Sequence, residues 1–264
     1  MEQPLTVASL AEELATLGVA PGMTLMVHSS LSSLGYVVGG APAVILALEA
    51  VLGPTGTLVM PTHNGDLSDP ANWSQPPVPE AWHQTIRENM PAFQPDLTPA
   101  KGMGIIPETF RKQDGTLRSN HPMVSFAARG PEAQFVTAGH RLRMSQGEGS
   151  PLARLYDLGA YVLLMGVSYD RNTSFHLAEY RNRFADHKRC KRGAPTRLGD
   201  GASQWTTYED ITWHDADFLE IGATFEDTGV VRTGTIGRAT CRLFPQKTLV
   251  DFAVTWMNAN RSLR

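Results

Sequence analysis

Two β-prone segments separated by a helical stretch constrain the fold of this chain more than any other feature. They are TLMVHSS at 24–30 and GTLVMPTH at 56–63, and the apolar helix pattern between them has Pro42 near its first turn. A strand, a helix and a second strand form a βαβ unit with parallel strands, whose carboxyl ends lie at the ligand-binding edge of an α/β sheet. We expect the polar residues at these strand ends to share that edge: His28, Ser29, Ser30, Thr62 and His63.

Length and composition limit the class of protein. A chain of 264 residues can form one large domain or two small ones with a substantial core. Its formal net charge of -3 favours neither nucleic acid nor an anionic membrane, and we expect neither as a partner. Two cysteines without metal or redox spacing, no signal-peptide pattern and no apolar run near the roughly 20 residues that span a bilayer predict a reduced, cytoplasmic setting.

Three further patterns outline the rest of the chain. Ser9 and Glu12 have the spacing of a capping box at the start of an N-terminal helix. Residues 61–107 contain nine of the 18 prolines and little regular pattern, which is typical of a lid or binding loop, with a partly ordered surface insertion as the alternative. Strand-like segments between 198 and 250 predict a β-rich C-terminal part.

The stretch DRNTSFHLAE at 170–179 carries the strongest indication of chemistry. It follows the apolar strand pattern AYVLLMGVSYD and begins a helix, so His176 and Glu179 lie three residues apart on one helix face. A carboxylate beside an imidazole fixes its tautomer and raises its basicity, as a general base requires. Asp170 lies at the strand end beside them. The alternative is a helical ion pair or a core histidine with satisfied hydrogen bonds.

Two polar turns could hold an anionic ligand. HSSLSSLG at 28–35, which we call the serine loop, offers hydroxyl and backbone N–H groups before a helix. It lacks the lysine of a P-loop and the glycines of a GxGxxG motif. RSNHPMVS at 118–125 offers Arg118, whose planar guanidinium suits a phosphate. An ordinary polar turn is the alternative in both cases.

Histidines and an acidic tract suggest two further kinds of site. Four histidines adjoin strand ends, although no pair of them has the close HxxxH or HxH spacing of zinc ligands. They are His28, His63, His121 and His176. The tract EDITWHDADFLE at 209–220 suits a cationic ligand, and Asp66 and Asp69 have the same sign; a solvated surface is the alternative.

These segments, in this order, resemble the aminoglycoside 3-N-acetyltransferase family, which uses acetyl-coenzyme A and differs in fold from the GNAT acetyltransferases. The matching segments are VHSSLSSLG, GTLVMPTH, RSNHPMVSFAARG, GSPLARL and LLMGVSYDRNTSFHLAE. The resemblance implies one domain over 1–264, an α/β/α-like sandwich with a parallel-rich central sheet. It also implies direct acetyl transfer to an amine within a ternary complex. From the patterns above we expect 61–107 to be a lid-like insertion, 198–250 to be a β-rich subregion on the substrate side, and no metal to be needed.

The resemblance gives roles to particular residues. His176 matches the base that takes a proton from the attacking amine, and Glu179 matches its carboxylate partner. Asp170 is a further catalytic candidate, in a supporting role, because of its place at the strand end. The serine loop matches the loop that receives the pantetheine and phosphate portions of coenzyme A, with Arg118 and Ser125 as further contacts. The loop residues are His28, Ser29, Ser30, Leu31, Ser32, Ser33, Leu34 and Gly35.

On the acceptor side, acidic residues are expected to meet the ammonium groups of the antibiotic. The candidates are Tyr208, Glu209 and Asp210, together with Asp66 or Asp69. Hydroxyl donors to the thioester oxygen could come from Ser30, Thr62 or Thr173. We expect a cationic small-molecule substrate and a monomer or homodimer.

Other functions remain as alternatives. The same fold and cofactor could serve another amine, such as an amino-sugar metabolite or a phosphonate-pathway intermediate. A metal-dependent hydrolase built on the four histidines and a non-catalytic polycation-binding module belong to other classes. In the binding module, His176 would be dispensable.

Overall fold

Three parallel strands at the centre of a larger mixed sheet confirm the βαβ prediction. The computed structural model describes residues 3–199 and 201–262. The strands in that part of the chain are β1 (Thr24–Ser29), β2 (Thr57–Pro61), β3 (Leu117–Arg118), β4 (Phe126–Arg129), β5 (Tyr161–Met165), β6 (Arg189–Arg197), β7 (Ser203–Ile211), β8 (Arg232–Ile236) and β9 (Ala239–Pro245). Seven form one sheet in the order β3-β4-β2-β1-β5-β9-β8, in which β1 is parallel to β2 and β5 and the outer pairs are antiparallel.

Helices cover both faces of this sheet, as an α/β/α sandwich requires. They are α1 (Val7–Leu17), α2 (Gly40–Leu52), α3 (His83–Asn89), α4 (Ile105–Phe110), α5 (Ala133–Thr137), α6 (Pro151–Asp157), α7 (Ser174–Arg181), α8 (Phe218–Glu226) and α9 (Gln246–Asn260). α1, α2 and α4 contribute to the apolar core on one face, and α5 to α9 contribute to the core on the other. The predicted fold class is therefore confirmed, with the parallel part of the sheet confined to three strands.

The central strands are buried on both faces because successive side chains enter opposite cores. In β5, Val162 and Leu164 belong to the core beneath α5 to α9, whereas Leu163 and Met165 belong to the core beneath α1, α2 and α4. This alternation explains the continuous apolar sequence of the strand. None of the helices in the described residues is long and apolar enough to cross a membrane.

The N-terminal helix begins earlier than predicted. Thr6 is its N-cap and accepts from the Ser9 backbone N–H at 3.1 Å, while Ser9 Oγ accepts from the Thr6 backbone N–H at 2.9 Å. Ser9 therefore stands at the third helical position, and the predicted capping box of Ser9 with Glu12 is wrong. Both Thr6 and Ser9 are capping residue types, so the local sequence did not distinguish between them.

Residues 61–107 contain short turns of 3₁₀-helix and α3 between β2 and α4. Arg118 holds this segment to the sheet, because its guanidinium donates to the carbonyl oxygens of Thr62, Pro95 and Thr98. The β-rich prediction for 198–250 needs a correction. β6 and β7 form a separate two-stranded sheet, β8 and β9 extend the main sheet, and α8 lies between these pairs.

Gly130, in the turn between β4 and α5, shows how closely the sheet packs. Its φ is +127°, and a Cβ there would lie 2.3 Å from Gly56 O and 2.7 Å from Thr57 Cα. Both contacts are with backbone atoms, which cannot swing aside as a side chain does. Gly159 also has positive φ, at +63°, but has no heavy atom within 4 Å of such a Cβ.

We predict that Gly130→Ala lowers the free energy of unfolding by at least about 3 kcal/mol, because backbone strain adds to overpacking. Gly159→Ala, the matched control, should cost only about 1–2 kcal/mol because it adds strain alone. Urea unfolding followed by circular dichroism measures both values. Equal losses in the two variants would contradict the packing argument.

Candidate active site

A cavity of about 690 Å³ lies at the carboxyl ends of β1 and β2. The serine loop, residues 102–107 around the start of α4, and the turn between β5 and α7 line it. Cavities of this size accommodate cofactors and drug-sized molecules. The edge of the sheet predicted to bind a ligand therefore has a space for one.

The serine loop divides its residues between the cavity and the protein interior. Six line the cavity: His28, Ser29, Ser30, Leu31, Ser32 and Gly35. Ser33 and Leu34 do not, because Ser33 Oγ donates to Gly166 O at 3.0 Å and Leu34 packs into the core. Ser29 Oγ is buried without a hydrogen-bond partner in the described residues. A buried hydroxyl in that condition suits a polar group of a ligand.

His176 and Glu179 form a hydrogen-bonded pair on α7. His176 Nδ1 donates to Glu179 Oε2 at 2.8 Å, and the Glu179 side chain is fully buried. Trp213 and Phe218 hold the imidazole, with ring centroids 5.3 and 5.2 Å from it. Within the described chain, no residue hydrogen-bonds His176 Nε2. The ring is therefore fixed with one nitrogen left to accept a proton.

Three donors satisfy the buried carboxylate of Glu179. Besides His176, the backbone N–H of His214 donates to Oε1 at 2.8 Å, and Arg261 Nη1 donates to the same oxygen at 2.9 Å. Uncompensated buried charge is costly, so these donors stabilise the carboxylate in one orientation. The predicted pairing of His176 with a carboxylate is thus present, with partners that the local sequence did not indicate.

Thr173 connects this dyad with the cavity. It lines the cavity and lies one helical turn before His176, so the two side chains share a helix face. Its Oγ1 is 3.3 Å from His28 Nε2. Burial lowers the pKa of His28 to about 3, so this imidazole is neutral at physiological pH. Of the three hydroxyl groups considered as donors, Ser30 and Thr173 line the cavity and the fully buried Thr62 does not.

Asp170 takes no part in the dyad. It is exposed and pairs with its neighbour Arg171, whose Nε lies 3.1 Å from Asp170 Oδ2. Within the described residues it has no hydrogen bond or ion pair with His176 or Glu179, which its predicted catalytic role would need. Arg171 lines the cavity, and sequence reasoning missed it. The one available signal was its place just after a buried strand, at the edge where ligands bind.

Arg118 and Ser125 lie behind the cavity wall, and neither lines it. Arg118 Nε donates to Ser125 Oγ at 3.0 Å, and its Nη atoms donate to backbone carbonyl groups. Ser125 is fully buried and donates to Thr62 O at 2.8 Å. The predicted cofactor contacts therefore serve as internal anchors. A guanidinium binds carbonyl oxygens with the same N–H groups that bind phosphate, so sequence alone does not separate the two uses.

Tyr208 and Asp210 are buried and Glu209 between them is exposed, because successive side chains of a strand lie on opposite faces. Asp210 accepts from Ser145 Oγ at 2.6 Å and from the Tyr180 hydroxyl, which in turn accepts from Trp213 Nε1. A fully buried Asp210 cannot meet a substrate. Its network instead supports the tryptophan that contacts His176.

The remaining predicted substrate carboxylates are paired with cations of the protein itself. Asp66 binds Lys101 at 2.7 Å, and both side chains are more than half exposed. Asp69 binds Arg87 at 2.7 Å and is less exposed. Glu209 lies 3.6 Å from an Arg189 nitrogen on the neighbouring strand. These carboxylates are near the surface, and none is a free negative charge in the described structure.

Residues 26–258 match the sequence profile of the aminoglycoside 3-N-acetyltransferase family. The chain belongs to this family.

Relatives cover nearly its whole length. The SPbeta prophage-derived aminoglycoside N(3')-acetyltransferase-like protein YokD of Bacillus subtilis (strain 168) is 45% identical over 98% of this chain and 94% of its own. The crystal structure of YokD matches this chain with a TM-score of 0.95 at 44% identity, and the match covers 100% of this chain and 97% of YokD. Aminoglycoside N(3)-acetyltransferase VII of Streptomyces paromomycinus is 36% identical over 96% of this chain and 92% of its own. The structure of AAC-IIIb in binary complex with CoASH matches with a TM-score of 0.85 at 32% identity, and the match covers 99% of this chain and 100% of AAC-IIIb.

The alternative of a metal-dependent hydrolase also relies on His121 and His63, and burial lowers the pKa of both imidazoles. His121 Nδ1 accepts from the backbone N–H groups of Met123 and Val124, and burial lowers its pKa to about 4. Burial, followed by the charges of His176 and neighbouring groups, lowers the pKa of His63 to about 3. Among residues 3–199 and 201–262, no three His, Cys, Asp or Glu side chains are placed to share a metal ion.

We predict that the protein loses stability as the pH falls from about 7 to about 5. In the unfolded chain a histidine binds a proton near its ordinary pKa of about 6.5, whereas burial lowers the pKa of folded His28 to about 3 and of folded His121 to about 4. Between these values the unfolded state binds more protons. The free energy of unfolding therefore decreases by up to about 1.4 kcal/mol per pH unit for each such histidine.

Urea unfolding at the two pH values measures this loss. His121→Gln removes one contributor and should reduce the pH slope, although it also lowers stability at neutral pH. An unchanged slope in this variant would contradict the assignment of His121 as a buried neutral imidazole.

Proposed function

We propose that this protein transfers the acetyl group of acetyl-coenzyme A to the 3-amino group of an aminoglycoside, on its 2-deoxystreptamine ring. The observation that carries the proposal is the His176–Glu179 dyad, which lies one helical turn beyond Thr173, a residue that lines the cavity. Family membership and the CoASH complex of a relative support the choice of cofactor. A base next to a thioester site is what amine acetylation needs.

The cavity suits coenzyme A in size and chemistry. Its volume of about 690 Å³ fits the pantetheine arm, and Ser29 Oγ, buried without a partner in the described residues, suits an amide of that arm. Ser30 and Ser32 add hydroxyl groups on the same wall. Arg171 would bind a phosphate of coenzyme A. It would give up its exposed ion pair with Asp170 and form a stronger charge-assisted hydrogen bond with the phosphate.

The residues of the dyad move one proton. Acetyl-coenzyme A supplies an electrophilic thioester carbon and a thiolate leaving group. His176 Nε2 accepts the proton that the amine nitrogen loses as it bonds to that carbon, and Glu179 stabilises the imidazolium through Nδ1–H. His176 then returns the proton to the departing sulfur. Neither cysteine is needed, and no acyl group passes to the protein.

Thr173 is our proposed donor to the thioester oxygen, where negative charge develops. With the proton of His28 on Nε2, that nitrogen donates to Thr173 Oγ1. The threonine hydroxyl proton, for which Met26 Sδ at 4.0 Å is only a weak acceptor, is then available to the ligand. The low pKa of His28, caused by burial, keeps this donor neutral. A neutral donor does not compete with His176 for the proton.

One observation favours a second acceptor class within the same reaction. Asp66, Asp69 and Glu209, the carboxylates expected to attract a polycation, are already matched with Lys101, Arg87 and Arg189. An aminoglycoside would have to displace these cations. An amine of lower charge would not, so a different, less cationic amine is the second candidate.

An acceptor panel tests the proposal. Thiol release from acetyl-CoA is measured with several aminoglycosides and with monoamines, and mass spectrometry locates the added acetyl group. We expect turnover with at least one aminoglycoside and modification at the 3-amino group. Turnover of other amines alone would support the second candidate, and no turnover with any amine would contradict both.

His176→Ala should lower kcat by roughly 100-fold or more, because a positioned general base contributes about 10²–10⁴ in rate. Binding of acetyl-CoA, measured by calorimetry, should be kept because His176 does not line the cavity. His83→Ala in α3 is the control and should retain full activity. Full activity of His176→Ala would instead support a non-catalytic binding module.

Arg171→Ala should raise the KM for acetyl-CoA by about 10-fold to 100-fold, the loss expected for a charged hydrogen bond to phosphate. Acetyl-pantetheine lacks the phosphates, so its kinetic constants should not change. Arg143→Ala, at an exposed position outside the cavity lining, is the matched control. Equal effects on both thioesters would contradict phosphate recognition by Arg171.

A further inference from the structure

We propose that Arg261 is a positioning residue for the dyad, acting through Glu179 although the two lie 82 residues apart in the sequence. This proposal rests on the acetyl-transfer function proposed above. Arg261 follows the last residue of α9 and lies beyond the part of the chain, 26–258, that matches the family profile. No motif in the sequence marked it.

The contacts of Arg261 are those of a structured ion-pair network. Nη1 donates to Glu179 Oε1 at 2.9 Å, and Nε and Nη2 donate to the two oxygens of Asp217 at 2.7 and 2.6 Å. Nη2 also donates to His214 O at 2.8 Å. Only 6% of the side chain is exposed. Buried bidentate pairs of this kind have defined geometry, unlike surface ion pairs.

The two oxygens of Glu179 have separate tasks. Oε2 accepts the hydrogen bond from His176 Nδ1–H, while Oε1 accepts from Arg261 and from the backbone N–H of His214. Because both N–H donors to Oε1 are held in fixed positions, the carboxylate plane of Glu179 cannot rotate freely. Removing Arg261 leaves a single fixed donor, so the direction in which Glu179 holds the imidazole becomes less defined.

The charge of Arg261 is also retained. Burial lowers its pKa, but hydrogen bonds to Asp217 and the charge of Glu179 outweigh burial, and the net effect raises the pKa. The guanidinium is therefore a permanent cation beside the carboxylate. It offsets the cost of keeping Glu179 away from water.

An alternative role is purely structural. Asp217 precedes α8, and Phe218 packs against His176, so Arg261 could act only by holding this segment in place. Asp217→Asn separates the two roles. It weakens the bidentate pair with Asp217 but leaves the Arg261 contact with Glu179.

The kinetic test uses the full chain with acetyl-CoA and an accepted amine. Arg261→Ala should lower kcat by about 10-fold to 100-fold, a smaller loss than that of His176→Ala, with the KM for acetyl-CoA unchanged. Arg261→Lys should recover part of the rate, and added ethylguanidine should raise the rate of Arg261→Ala several-fold but not that of His176→Ala. Arg183→Ala, an exposed arginine whose backbone contacts Asn258 of α9, is the matched control.

Three outcomes would overturn the proposal. They are an unchanged kcat in Arg261→Ala, a loss that neither lysine nor ethylguanidine recovers, and an equal loss in Asp217→Asn. If Arg261→Ala does not fold, Arg261→Lys decides in its place. A lysine variant with the kcat of the wild type would then overturn the proposal, because the guanidinium would not be needed to position Glu179.

A second measurement requires no turnover, so it tests the role of Arg261 even if no amine in the acceptor panel is acetylated. Nitrogen-15 NMR of His176, at a pH where the ring is neutral, should show a protected Nδ1–H in the wild type. In Arg261→Ala or Arg261→Lys, exchange of that proton with water should be at least about tenfold faster, because its acceptor is less fixed. Identical exchange in wild type and variants would contradict the proposal.

Discussion

A buried carboxylate needs a hydrogen-bond donor for each oxygen, and the arrangement around Glu179 follows from that need. Its donors come from α7 itself, from the loop before α8 and from the residue after α9. These parts of the chain meet because β9 pairs antiparallel with β5, so α9 returns to pack beside α7. The departure from an all-parallel sheet therefore helps to build the site.

Local patterns predicted the parts of the structure that local interactions determine. The βαβ unit follows from periodicity, and the His176–Glu179 pair follows from spacing on one helix. Arg261 could not be predicted, because 82 residues separate it from Glu179 and only the tertiary fold joins them. α8 was missed because acidic residues obscured its buried face of Phe218, Ile221 and Phe225.

The incorrect assignments had physical causes. Arg118 was assigned to a phosphate because its donors suit one, yet backbone carbonyl groups occupy them. Asp210 was assigned to the substrate, although Tyr208 and Asp210, two residues apart in β7, are both buried and only Glu209 between them is exposed. That alternation was readable in the sequence. A polar residue in a strand should be assigned to a face before it is given a ligand.

The ion pairs Asp66–Lys101 and Asp69–Arg87 have a consequence for selectivity. An acceptor ammonium that reaches either carboxylate exchanges with a cation of the protein instead of neutralising a free charge. The electrostatic free energy of binding is then a difference between two similar contributions, which largely cancel. If these carboxylates meet the acceptor, its total positive charge is a poor criterion for selection, and amines are distinguished by shape and by the directions of their hydrogen bonds.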